Sequence, residues 1–258
     1  MKIKLFIYSF LLILIGCEDK VSVRDNILDS GNEDYEAPTI LLSSGALGGE
    51  VINSEIISFV VEGNDLVNEY RFKLDSNLWS NWSDESTVTL SYLDEGDHTV
   101  YFQSRYESGD TSSTLQTSFI VDAVSGPALM FYPRRHQVDQ GTTVTFSLLA
   151  EEVSDLMAAE INLNYDPSNI ELLSISQGDF FQSGQESIFS YEYNSGSIEI
   201  LTSLLNSDSP SVSGTGSLVN ISFRKLQQGS SSIAFSSENF FRNPDNQDIP
   251  ISEAIEGL

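Results

Sequence analysis

The chain is poor in the residues that carry most catalysis. One cysteine and two histidines occur in 258 residues, so neither a thiol pair nor a multi-histidine metal centre can be assembled. His98 enters an apolar alternating run and His136 follows Arg134 and Arg135. Neither is near a nucleophile-elbow motif, which leaves a serine triad without a base. Basic residues are scarce too: 12 against 38 acidic ones, a net charge of −26. Such a surface cannot bind a phosphate backbone by counterion release, so no nucleic-acid partner is expected. Paired carboxylates could hydrolyse glycosides, but nothing singles out one pair among the 38, and the expectation is a protein that is not an enzyme. No sustained 3.6-residue apolar period appears. The longest apolar run, Leu5 to Ile15, is about half of the roughly 20 residues a spanning helix needs.

That run does have a reading. Lys2 and Lys4 precede it and Leu14-Ile15-Gly16-Cys17 closes it, the order of a signal peptide over residues 1–17. The closing tetrapeptide resembles a bacterial lipobox, which implies cleavage before Cys17 and acylation of that residue. A lone cysteine in an exported protein has no partner, and lipidation accounts for it; a coincidental cysteine is the alternative. With more than one acyl chain, anchoring would be stable. The expected location is therefore the bacterial cell envelope, at the outer membrane or cell surface. Residues 18–37 follow as an acidic linker, with seven acidic and two basic residues between Glu18 and Glu36. They read as a solvated tether, and also resemble surface-export signals of some lipoproteins.

Residues 38–122 alternate apolar and polar positions in short runs. Ile57, Phe59 and Val61 keep a period of two, as do Tyr70, Phe72 and Leu74, with reversals at Asp94-Glu95-Gly96-Asp97 and Glu107-Ser108-Gly109-Asp110. Six or seven strands in about 85 residues suit a small β-sandwich. Trp79-Ser80-Asn81-Trp82-Ser83 looks like the WSxWS string of cytokine receptors, but it follows the third strand, the wrong place for that family. From Tyr70 through the two tryptophans to His98 and Val100, the segment instead resembles the immunoglobulin-like or fibronectin-type module of secreted bacterial proteins. Trp79 and Trp82 are candidates for stacking on sugar rings; as plugs of the sandwich core they would have only a packing role.

Ala123-Val124-Ser125-Gly126-Pro127 marks a boundary, expected to orient the next domain without fixing it. Beyond it, residues 127–258 carry the stretch around which the chain is arranged, Ile161-Asn162-Leu163-Asn164-Tyr165-Asp166-Pro167. It alternates strictly and stops at a turn. Val144, Phe146 and Leu148 alternate before it, and Ile170 to Ile175 follows it. Ile188 to Tyr193 and Ser197 to Ser203 flank the hairpin turn Asn194-Ser195-Gly196. Val219, Ile221 and Phe223, then Ile233 and Phe235, then Ile249, Ile251 and Ile255 supply the remaining strands. About nine strands and no long helix indicate a jelly roll. The fold class is thus all-β, two β-sandwiches in tandem.

Gly141-Thr142-Thr143-Val144, the Tyr165-Asp166-Pro167 strand end, Ile170-Glu171-Leu172, Gly178 and Gly214-Thr215-Gly216-Ser217-Leu218-Val219 leading into Ile221-Ser222-Phe223-Arg224 together resemble the cohesin domain, from about Leu129 to Ile255. The final strand looks short beside that family. The resemblance implies a nine-stranded fold shared with carbohydrate-binding modules. It also implies reception of a dockerin module, typically borne by a polysaccharide-degrading enzyme, on one face. By position, it places partner-binding residues at Ala158 and Glu160, with Tyr191, Tyr193 and Thr202 on the neighbouring strands. Phe189, Tyr191 and Tyr193 share one face of their strand and would equally serve as core. No cofactor is expected. Asp245, Asn246 and Asp248 could approach calcium, and a turn explains them as well. The reading is a surface lipoprotein displaying a cohesin-like module; a carbohydrate-binding surface protein and a structural or adhesin component are the alternatives.

Overall fold

A computed structural model describes residues 26–181, 186–205, 210–236 and 238–257. Cys17, the signal peptide and the first part of the acidic linker lie outside the described residues.

The N-terminal region holds β1 (Ile40–Ser44), β2 (Glu50–Ile52), β3 (Ile57–Gly63), β4 (Glu69–Leu74), β5 (Thr87–Leu90), β6 (Gly96–Arg105) and β7 (Leu115–Val121). They form two sheets, β1-β3-β5 and β2-β7-β6-β4. The period of two does the work. In β6, His98, Val100, Phe102 and Ser104 turn inward while Tyr101, Gln103 and Arg105 alternate with them. Phe59, Phe102 and Phe119 meet at the centre with ring centroids 5.5 and 5.7 Å from Phe59, as tilted aromatic pairs do.

The C-terminal region holds β8 (Ala128–Tyr132), β9 (Thr143–Leu156), β10 (Ala158–Tyr165), β11 (Ile170–Gln177), β12 (Ser187–Asn194), β13 (Ser197–Leu204), β14 (Val212–Lys225), β15 (Ile233–Phe235), β16 (Phe240–Arg242), β17 (Asp248–Ile249) and β18 (Glu253–Ile255). One sheet runs β12-β13-β10-β16-β17, with β15 also on β10, and the other runs β11-β14-β9-β8-β18. Among the described residues there is no helix. Ile161 and Leu163, the centre of the strand picked out by its alternation, are buried in the core between the sheets; truncating either to Ala should cost about 2–5 kcal/mol. Gly178 is required by close approach, since a Cβ there would stand 2.1 Å from the Ser217 carbonyl oxygen.

Two details depart from expectation. The strand expected at Ile233 and Phe235 continues past a break, as β15 and β16, both paired with β10. Asn239 bridges the break: its side-chain oxygen accepts the Asn162 N–H at 2.8 Å. The final strand is short, yet it closes the sheet edge. β18 pairs in parallel with β8, and Gly257 and Ile233 exchange backbone hydrogen bonds of 2.9 and 3.1 Å.

The two sandwiches do not hang loosely either. Arg134, 8% exposed, forms an ion pair with Glu55. Its backbone N–H donates to the Asp94 carboxylate at 2.6 Å. Arg135 stacks on the Tyr92 ring at 5.0 Å. A buried arginine satisfied by the other sandwich resists separation, because parting them would strand a charge. The boundary peptide therefore does more than orient: the residues just after it fix the second sandwich against the first.

Candidate recognition face

The six-stranded sheet of the C-terminal sandwich has one face in the core and one in solvent. Register fixes which residues share the outer face. Across β12, β13, β10 and β16 they form rows: Ile188, Ser203, Ala158 and Arg242; then Ser190, Leu201, Glu160 and Phe240. Toward the hairpin turn come Glu192, Glu199 and Asn162, and last Asn194, Ser197 and Asn164. Leu201 is 43% exposed, and Ile188, Phe240 and Leu205 are similarly open. Exposed aliphatic side chains grouped on one sheet face are a feature of recognition surfaces, whereas scattered ones need no account.

The charges around this patch are negative on one side. Glu192 and Glu199 stand directly opposite each other across β12 and β13, an arrangement that costs stability in an isolated sheet. Glu160 lies one row away on β10, with the Asn162 amide 3.5 Å from its carboxylate. At the other end Arg242 is neutralised by Asp248 at 2.8 Å and packs over Phe240. The face thus offers an apolar centre with carboxylates along one flank that, among the described residues, pair with no cation.

The residues expected to bind a partner are divided by this geometry. Ala158 and Glu160 are on the outer face, as their phase in β10 requires. Thr202 is a correction: it pairs with Ala159 on the inner side and is 2% exposed, so its side chain cannot touch a partner. Tyr191 and Tyr193 sit on the side opposite Glu160, in phase with Ile200 and Ile198. They are nonetheless 44% and 61% exposed, because β12 is the sheet edge and most of it extends past the packed core. Phe189, Tyr191 and Tyr193 form a row with centroids 6.0 and 6.4 Å apart. Leu201, Ile188 and Phe240 were not among the expected residues. A signal for the first two existed, since each is an apolar residue out of phase with the buried alternation of its own strand.

Trp79 and Trp82 lie outside the core of their sandwich, half-buried, and pack against its cations. Residues 79–83 run beside β4, with Ser80 N–H donating to the Phe72 carbonyl at 2.8 Å and a bridge between Tyr70 and Ser83. This lays both rings over the outward side chains of the sheet. The Arg71 guanidinium lies 4.7 Å from the Trp79 centroid and 4.4 Å from that of Trp82. Arg105 lies 4.5 Å from Trp82 as well. Arg71 and Arg105 project from the same side of the sheet, so Trp82 packs against two guanidinium groups at once. Gln103 accepts two hydrogen bonds from Arg71, at 2.9 and 2.6 Å, and holds it in place.

Residues 245–247 lie in the turn between β16 and β17, and Asp248 begins β17. Asn243 and Gln247 close a turn, and Asp248 is committed to Arg242. Among the described residues no group of three or more acidic, histidine or cysteine side chains could hold a metal.

Residues 134–255 match the family model described as the cohesin domain. Solved structures similar to the chain include a non-cellulosomal cohesin from the archaeon Archaeoglobus fulgidus. It is 21% identical, with 50% of this chain and 86% of that chain covered and a TM-score of 0.43. The sixth cohesin of scaffoldin B from Acetivibrio cellulolyticus, solved with a Cel5 dockerin, is 15% identical. It covers 52% of this chain and 96% of its own, with a TM-score of 0.43. A type I cohesin–dockerin complex from Clostridium thermocellum is 17% identical, covering 50% and 94%, with a TM-score of 0.43. No curated protein matches the chain.

Proposed function

Because residues 134–255 form a cohesin domain, we propose that the chain is a non-catalytic receptor whose C-terminal sandwich captures a dockerin-type module on the outer face of β12-β13-β10-β16. The observation that carries this reading is the apolar centre at Leu201, Ile188 and Phe240, framed by Glu160, Glu192 and Glu199 on one rigid sheet. An anchor of this kind suits a partner that presents apolar side chains flanked by basic ones. In this reading Cys17 is lipidated, the acidic tether lifts the folded part off the lipid, and the N-terminal sandwich, an immunoglobulin-like stalk, presents the cohesin domain at the cell surface. Dockerins encoded by the same genome, tested against the immobilised chain, should include at least one that binds with a Kd below about 1 µM. Failure of every such dockerin to bind rejects the proposal.

One observation favours a second reading. The row of half-buried Phe189 and exposed Tyr191 and Tyr193 on the edge strand is a surface on which a glycan could stack. It predicts retention on an insoluble polysaccharide that survives high salt and is lost with Tyr191→Ala plus Tyr193→Ala. Retention unchanged in that double variant removes this reading and leaves the dockerin reading untouched.

A further inference from the structure

A cavity of about 460 Å³ opens at one end of the C-terminal sandwich, within the usual size range for small-molecule sites. Phe146, Phe223, Ile170 and Ile233 line it and are each more than nine-tenths buried. Arg135 and Lys225 also line it, and no carboxylate does. That absence is unusual here, because acidic residues outnumber basic ones 38 to 12. The four neighbouring clefts each contain at least one carboxylate: Glu171 in one, Asp75 and Asp94 in another, Asp139 in a third and Glu55 in the last.

The cations themselves point the same way. Arg105, Arg134, Arg224 and Arg242 each hold a carboxylate partner. Among the described residues Arg71, Lys73, Arg135 and Lys225 hold none; Arg71 and Lys73 pack on Trp79, Trp82 and Tyr101 away from the cavity, whereas Arg135 rests on the face of Tyr92, which also lines it. Lys225 is half-buried at the end of β14, where a partly desolvated ammonium gains most from an incoming anion. The wall beside them is set, since the His136 ring packs edge-on against Phe146 at 4.8 Å and its Nε2 lies 3.0 Å from the Thr145 carbonyl.

We propose that this cavity binds a small carboxylic acid with an apolar body, its carboxylate held by Arg135 and Lys225 and its body against Phe146 and Phe223. The test is calorimetric titration of the chain beginning at Glu18, which keeps every strand, with octanoate and with octylammonium as the charge-reversed control. Octanoate should bind with a Kd on the order of 0.1 mM, as expected for about ten non-hydrogen atoms at moderate efficiency. Octylammonium should bind at least about tenfold more weakly, and Lys225→Met and Arg135→Gln should each weaken octanoate by about tenfold. Methyl resonances of Ile170 and Ile233 should shift on octanoate addition. Absence of binding at 5 mM octanoate, as a ceiling about fiftyfold above the expected Kd, overturns the proposal. So does equal binding of octylammonium, unchanged affinity in both variants, or binding that leaves both isoleucine methyls unmoved.

Discussion

The outer face of β4 and β6 in the N-terminal sandwich and that of β12-β13-β10-β16 in the C-terminal one are finished in opposite ways. On the N-terminal sandwich the outward side chains of β4 and β6 are roofed by Trp79 and Trp82, with Arg71 and Arg105 stacked on the rings. Gln103 and Glu69 then bond those two arginines. Aromatic rings and cations there pack on one another. On the C-terminal sandwich the corresponding outward face keeps Leu201, Ile188 and Phe240 exposed and sets Glu192 against Glu199, with no cation paired to either among the described residues. The first arrangement stabilises its own domain, and the second leaves apolar and acidic side chains open to solvent. Under the proposed dockerin reading, out-of-phase aliphatic residues rather than aromatic ones mark the binding face.

The comparison can be broken or sharpened by substitution. The largest effect expected is that of Leu201→Arg, which puts a charge at the centre of the open face and should weaken dockerin capture by at least about 100-fold. The melting temperature should stay within a few degrees, because the side chain is outside the core. Glu160→Arg should weaken capture by roughly tenfold through lost charge complementarity, mostly in the association rate and most clearly at low salt. Arg71→Ala should act on the other face alone. It should destabilise the N-terminal sandwich by about 1–2 kcal/mol through loss of two cation–π contacts, with tryptophan emission shifted to the red and capture unchanged. Reduced capture in that variant would mean the closed face is not closed.

The smallest effect concerns pH. Burial opposes a charge on His98, but the Asp94 carbonyl and the Asp75 carboxylate outweigh it, so its pKa is raised. The folded protein then holds that proton longer than the unfolded chain. The resulting stability is whole below about pH 6.5 and is lost as pH rises through the higher folded value. Asp94, Glu95 and Glu151 are raised by burial and act with the same sign at lower pH. The N-terminal sandwich should therefore melt about 1–3 °C higher at pH 6 than at pH 8. His98→Gln should flatten that difference, and a melting temperature that climbs toward pH 8 would contradict the assignment.

The all-β class was legible because most strands alternate where one face is buried, although bulges interrupt β1, β11 and β14. Ile161, Leu163 and Tyr165 announce their strand, and Asp166-Pro167 its end. The outer face was only half legible. Ala158 and Glu160 follow from the phase of one strand, but Thr202 lies between the inward Ile200 and Leu204, and its own phase already placed it in the core. Tyr191 and Tyr193 share that inner phase; their exposure comes from the position of β12 at the sheet edge, which only the strand order reveals. The stacking of Arg71 between two tryptophans joins residues on a strand and on the irregular segment beside it, and no periodicity encodes such a contact. Arg134 was hidden for the same reason, since its partners Glu55 and Asp94 belong to the other sandwich.

The central claim is that the partner lands on the outer face of β12-β13-β10-β16. Hydroxyl-radical footprinting of the chain with and without a bound dockerin tests it on the side chains themselves. Leu201, Ile188 and Phe240 should be protected in the complex, while Tyr191, Tyr193 and Trp79 react as they do in the free chain. Protection of Tyr191 and Tyr193 with Leu201 and Phe240 unchanged would place the partner on the opposite side of the sheet and contradict the account.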